Sequence, residues 1–197
     1  FLRWNPSTTM KCAIFEENGN RHDMQRVLGH VTLQNAVRRM GDFVLTSCAA
    51  NALQPYRQND NGWDQGQVFF TPSQVWGMPP YYAQQMAAAH HRPLTVGCGV
   101  EGADGVLDVT ATRSREAGSV VLHIANTGAE PLRVGLRVDG MGKVSQARMV
   151  SLSGDLDAVN TPEEPRRIAP VGRELPAWAA QTVDIAPYSY TIVVLDE

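Results

Sequence analysis

Glu16 and Glu17 stand side by side where the apolar run Cys12 to Phe15 stops, in the stretch MKCAIFEENGNRHD. Two readings fit adjacent carboxylates followed by a Gly/Asn-rich loop. A strand that ends at the surface carries charges as a matter of course. A carboxylate at a strand's carboxyl end is also where nucleophilic and acid–base chemistry sits in α/β folds. Neighbouring side chains on a strand diverge, so only one of the two can point at a bound substrate.

A second concentration of such side chains, Asn59, Asp60, Asn61 and Trp63, lies in the polar, aromatic stretch Gln54 to Met78. Amides meet sugar hydroxyls, and an aromatic face stacks on the apolar carbons of a sugar ring. With a carboxylate nearby, this is a sugar-binding inventory. Other reactive residues read as structural. His90 and His91 fall at a helix end, where cations meet the dipole favourably, and lack a third ligand nearby, so no metal site is expected. His123 sits in an alternating strand on the face opposite Val120 and Leu122, the position of a surface or rim residue. Tyr81 and Tyr82 at the start of a helix read as packing, and Trp178 as a loop ring covering a sheet edge, with stacking on a polysaccharide as the alternative. Cys12, Cys48 and Cys98 are widely spaced and odd in number, forming neither a CxxC motif nor a complete disulfide framework; they read as three buried thiols.

The 197 residues suffice for one large domain or two small ones with a real core. Hydrophobic residues make up 43% and charged residues 19%, within the ordinary range for globular proteins. Seventeen Lys and Arg against 20 Asp and Glu give a net charge of -3, which offers no electrostatic reason to expect nucleic acid or an anionic membrane as partner. No apolar stretch approaches the roughly 20 residues that cross a bilayer, and the start FLRWNPSTT has no signal-peptide pattern. It also lacks an initiator Met, which points to a chain that continues upstream.

The elements that must position these residues follow from periodicity. Met24, Val27, Leu28 and Val31 recur at helical spacing, with Asp23 placed as the cap and Gly41 as the stop. DFVLTSCAANAL, residues 42–53, lacks polar alternation and predicts a strand covered on both faces. A long loop then leads to a helix over Pro79 to His91 with proline in its first turn. The order strand, loop, helix, strand, loop, helix is two βα units, an incomplete architecture whose partners come from upstream or from another chain, unless the piece packs against the sandwich. After Pro93 the period becomes two: Leu107, Val109 and Ala111; Val120, Leu122 and Ile124; Leu132, Val134, Leu136 and Val138. These predict half-buried antiparallel strands, roughly eight in all, in a β-sandwich or jelly roll, with NTPEEPRRIAP as a long connection between strands. The expected fold is thus mixed: residues 1–92 form the last two βα units of an incomplete (β/α)8 barrel, and residues 93–197 an all-β, jelly-roll-like sandwich.

KCAIFEENGN, HDMQRVLGH and NDNGWDQGQVFFTPSQVWGMPPYYAQQM, in that order, resemble the carboxyl-terminal third of the α-L-arabinofuranosidases of glycoside hydrolase family fifty-one. Lys11 to Glu16 fits the family's K-x-x-x-x-E strand, which ends on the nucleophile. Asn59, Asp60, Trp63, Phe70, Gly77, Pro79, Tyr81 and Gln84 fit the later segment that leads into the last barrel helix. SLSGDLDAVNTPEEPRRIAP and APYSYTIVVLDE resemble the family's terminal domain, so the likeness spans nearly the whole chain.

The resemblance implies that Glu16 is the catalytic nucleophile, with Glu17 in that role if the register shifts by one. The family often has an aromatic or small residue at the position of Glu17. The resemblance also implies that Asn18 and Trp63 bind substrate, Trp63 alternatively plugging the barrel mouth, and that Asn18 and His22 line or brace the pocket. The implied activity is retaining, exo-acting removal of terminal non-reducing arabinofuranosyl residues from plant-wall arabinoxylan or arabinan. The acid/base glutamate would lie on an earlier barrel strand, so the isolated chain is expected to be inactive. Double displacement at a sugar carbon needs carboxylates and water, so no cofactor and no metal are implied. The implied partners are an arabinofuranosyl-containing oligo- or polysaccharide and the rest of the barrel; a homo-oligomer is left open, and so is a location inside or outside the cell. The alternative function is a non-catalytic carbohydrate-binding or structural β-sandwich module.

Overall fold

The computed structural model describes residues 3–58, 62, 64–103, 105–116, 118–176 and 182–197. Strands β1 (Cys12–Glu17) and β2 (Val44–Ala49) run parallel and are joined by helix α1 (Met24–Arg39) and a 3-10 turn at Gly41–Phe43. The Asp23 carboxylate caps α1 by accepting from the Arg26 amide at 3.2 Å. At the other end Gly41 takes a φ of 59°, which a residue without a Cβ adopts freely.

The stretch expected to be a long loop carries three short strands. β3 (Leu53–Pro55) pairs in parallel with β4 (Val68–Phe70), which pairs antiparallel with β5 (Val75–Gly77). Three residues are too few to show a period, so the sequence gives no strand signal there. What holds them is a small core of Phe69, Trp76 and Met78, with the Tyr56 ring edge-on to Trp76 at 5.3 Å. Helix α2 (Pro79–Ala89) follows, with prolines in its first turn as expected.

Eight strands complete the described chain: β6 (Leu94–Val96), β7 (Leu107–Arg113), β8 (Ser119–Asn126), β9 (Leu132–Gly135), β10 (Gln146–Ser153), β11 (Val171–Glu174), β12 (Thr182–Ile185) and β13 (Ser189–Asp196). Six of them form one antiparallel sheet in the order β11-β10-β13-β8-β7-β6, and β12 pairs with β9 in a second. The β9–β12 pair packs on one face of the large sheet, where Val183 and Ile185 meet Leu122, Ile124, Val193 and Leu195. Helices α1 and α2 pack on the other, where Met24, Val27, Val31, Ala83 and Met86 meet Val121, Ala125, Tyr190, Ile192 and Val194. Asn35 stitches α1 to β7: its amide donates to the Asp108 carbonyl at 3.1 Å, and its oxygen accepts from Thr110 Oγ1 at 2.7 Å.

This double cover corrects two expectations. β8 and β13 are buried on both faces rather than one. His123 is fully buried rather than at a surface or rim, because the face opposite Leu122 lies under the helices. Its Nδ1 sits 2.7 Å from Tyr190 Oη. Burial, reinforced by the nearby Arg38, His90 and His91, pushes its pKa down to about 2.

The reverse correction applies to β2. Leu45 and Cys48 are exposed, because among the described residues nothing covers the face turned away from α1. The three thiols are accordingly not buried: Cys12 is half-buried, and Cys48 and Cys98 are exposed and free.

Candidate active site

Among the described residues, the carboxyl end of β1 and the loop that follows it hold the candidates Glu16, Glu17, Asn18 and His22. Glu16 and Glu17 have opposite fates there. Glu16 is exposed and its side chain makes no hydrogen bond or ion pair with the described residues, whereas Glu17 is buried.

The pairing register explains the difference. Ile14 lies opposite Ser47 and Glu17 opposite Ala49, so β1 uses three residues where β2 uses two. Such a bulge places consecutive residues on one side. Phe15 and Glu16 are both exposed on the open face, and Glu17 falls on the helix side. A compensating irregularity between Cys12 and Ala13 leaves Leu45 and Thr46 both exposed on β2. The open face thus carries Ala13, Phe15, Leu45, Thr46 and Cys48 along the strands, with Glu16 at its carboxyl end.

Behind the sheet, Glu17 is the end of a buried polar chain. Its carboxylate accepts from Ser47 Oγ at 2.5 Å and Gln84 Nε2 at 3.3 Å, and it lies 2.6 Å from His30 Nδ1. His30 Nε2 takes a hydrogen bond from Arg26 Nε at 2.7 Å. A guanidinium can only donate, so Nε2 accepts, and Nδ1 carries the ring proton towards Glu17. Arg26 also donates to the carbonyls of Arg21 at 3.0 Å, Gln65 and Ala50, which belong to the loops after both strands. Burial alone raises the pKa of Glu17, but the hydrogen bonds from His30, Ser47 and Gln84 outweigh it and hold the carboxyl below its ordinary value. Burial depresses the Arg26 guanidinium, and Glu17 and Asp23 partly offset this.

Asn18 is exposed, and its Oδ1 accepts from the buried Gln65 Nε2 at 3.1 Å; Gln65 Oε1 in turn accepts from the Gly19 amide at 3.2 Å. His22 braces the second loop: its Nδ1 is 3.1 Å from Asp64 Oδ1, and its ring packs 5.0 Å from Phe69. Trp63 and Asn59 to Asn61, like Trp178, lie outside the described residues. Tyr82 is in the core, with Tyr81 packed against it. His90 ends α2, its Nδ1 2.8 Å from the Met86 carbonyl. Among the described residues no cluster of three or more His, Cys, Asp or Glu is placed to hold a metal ion.

Sequence reasoning missed Arg26, His30, Ser47 and Gln65. A signal existed for two of them: Arg26 and His30 are one helical turn apart, beside the apolar stripe of α1, where charged residues stay only when paired. Gln84 was visible as a motif residue but not as a partner of Glu17.

Similarity to known proteins agrees with this architecture. An arabinose-bound α-L-arabinofuranosidase of glycoside hydrolase family 51 superposes with a TM-score of 0.81 at 21% identity, over 90% of this chain and 28% of that one. The family 51 enzyme from Thermotoga petrophila gives 0.80 at 18% identity, over 94% and 43%. The α-L-arabinofuranosidase from Thermotoga maritima, in an arabinose complex, gives 0.74 at 19%, over 93% and 40%. At such identities the likeness shows the fold, and the chain spans 28 to 43% of the length of these structures. No curated protein matches in sequence. The sequence model of the α-L-arabinofuranosidase C-terminal domain, however, matches residues 7–189, from the parallel strand pair through β12. The chain therefore belongs to the α-L-arabinofuranosidase C-terminal domain family.

Proposed function

We propose that this chain is the carboxyl-terminal portion of a retaining, exo-acting α-L-arabinofuranosidase that removes terminal non-reducing arabinofuranosyl residues from arabinoxylan or arabinan, with Glu16 as its nucleophile. Residues 1–92 are the last two βα units of its barrel, and residues 93–197 its jelly-roll-like sandwich. The observation that carries this reading is the split between the acids: Glu16 is exposed at the carboxyl end of a parallel pair, and Glu17 is committed to His30, Ser47 and Gln84 behind it.

In the reaction, a Glu16 oxygen bonds to the anomeric carbon as the bond to the leaving oxygen breaks. A second carboxyl group, about 5 to 5.5 Å away, protonates that oxygen. The same group then takes a proton from water, which attacks the anomeric carbon, releases arabinose and frees Glu16. The two strands offer one carboxylate on their open face, so the second comes from a strand outside the pair. Asn18 contributes an amide to the sugar hydroxyls, and Trp63 stacks on the ring's apolar carbons. The exposed Phe15 and Leu45 are the apolar lining that further barrel strands would cover.

The test is Glu16→Gln in the full-length protein. Turnover should fall by about 10³-fold or more while arabinose binding survives, since the amide keeps the shape and loses the nucleophile. Unchanged turnover would leave a non-catalytic sandwich module.

A further inference from the structure

We propose that Glu17, His30 and Ser47 form a positioning clamp that sets the bulge in β1 and thereby turns Glu16, rather than its neighbour, onto the open face. The inference rests on the reading of Glu16 as nucleophile and adds what selects it.

On a regular strand Glu16 would share the face of Ile14, towards α1, and Glu17 would share the open face with Phe15. The three-for-two register between Ile14 and Glu17 reverses this. Bulges between parallel strands are rare, and next to active sites they re-aim a side chain. This one is tied down on both sides. Ser47, opposite Ile14, binds the Glu17 carboxylate at 2.5 Å, and the Ala50 amide donates to the Glu17 carbonyl at 3.1 Å. His30 then links Glu17 to Arg26, which grips the carbonyls of Ala50 and Gln65. The clamp therefore joins the acid's own strand, the next strand and the loops at the rim into one hydrogen-bonded unit. The charged and titratable groups facing Glu17 are His30 and Arg26 of α1, with Asp23 and Arg21 behind Arg26; β2 and α2 present the neutral Ser47 and Gln84.

A clamp that aims the nucleophile acts on the chemical step more than on substrate binding. In the full-length enzyme, His30→Leu and Ser47→Ala should each lower kcat by about 10- to 100-fold, a misplacement effect, with KM within about twofold. His30→Gln should recover most of the loss, because its amide oxygen can accept from Arg26 and its NH2 can donate to Glu17. Wild-type kcat in folded Ser47→Ala and His30→Leu would overturn the proposal. So would a loss in His30→Leu that follows the melting temperature and is not restored by His30→Gln. Azide separates this failure from that of the parent reading. If Glu16 is the nucleophile, azide restores turnover to Glu16→Ala by forming an arabinofuranosyl azide, and does nothing for Glu17→Ala. Rescue of Glu17→Ala instead would overturn both readings.

Discussion

The β1–β2 pair and the six-stranded sheet use the same apolar residue types to opposite ends. In β13, Ile192 and Val193 point to opposite faces and are each 0% exposed, because helices cover one face and the β9–β12 pair the other. In β1 and β2, Phe15 is 80% and Leu45 68% exposed, because only the side towards α1 is covered. Each region also buries one histidine against an oxygen: His30 against the Glu17 carboxylate, His123 against the Tyr190 hydroxyl. In the large sheet that pair completes a core. In the small one it anchors a strand end whose neighbouring acid is free. On the proposed function, burial does not mark the reactive residue: the proposed nucleophile is the acid that the polar network leaves out.

The contrast can be broken from either side. The largest effect on stability should come from Ile192→Ala, which opens a cavity between α1, α2 and the sheet and should cost about 2–5 kcal/mol in denaturant unfolding. Asn35→Ala should cost about 1–3 kcal/mol, because it strips the Asp108 carbonyl and Thr110 Oγ1 of their partner at the helix–sheet junction. His123 makes a pH-dependent contribution. Its folded pKa lies near 2 against an ordinary 6.5, so above 6.5 neither state is protonated and its stability contribution is complete. As pH falls from 6.5 towards 2, the unfolded ring takes up a proton that the folded ring refuses, and stability is lost. His123→Asn, which keeps an acceptor near Tyr190 Oη, should flatten that acid slope in a melting-temperature series. The smallest effect should be that of Phe15→Ser on this chain, within about 0.5 kcal/mol, because the side chain is already in solvent. A cost of several kcal/mol for the same change in the full-length protein would sharpen the contrast, as the proposed barrel buries that ring.

The sequence made the elements legible where their periods were long. The stripe Met24, Val27, Leu28 and Val31 and the Asp23 cap placed α1, and the alternation in β7 and β8 placed those strands. It failed where tertiary cover decides the outcome. The pattern along a strand cannot say whether its second face meets helices or solvent, so the sequence puts His123 at a rim and Cys48 in a core, the reverse of their places. The strands β3 to β5 are too short for a period. For the site, Glu16 and Glu17 were legible as a pair, but their opposite burial follows from a bulge that one strand's sequence does not encode by itself, and the residues that bind Glu17 there, Ser47 and His30, are distant in sequence.

The central claim, that Glu16 attacks the sugar, is tested most directly by trapping the covalent intermediate. The full-length protein would be incubated with an arabinofuranoside that bears fluorine at C2, which slows hydrolysis of the ester, and then digested and mapped by mass spectrometry. The account predicts a single arabinofuranosyl ester on Glu16. An ester on Glu17 or any other residue, or no adduct in a protein that turns over arabinofuranosides, would contradict it.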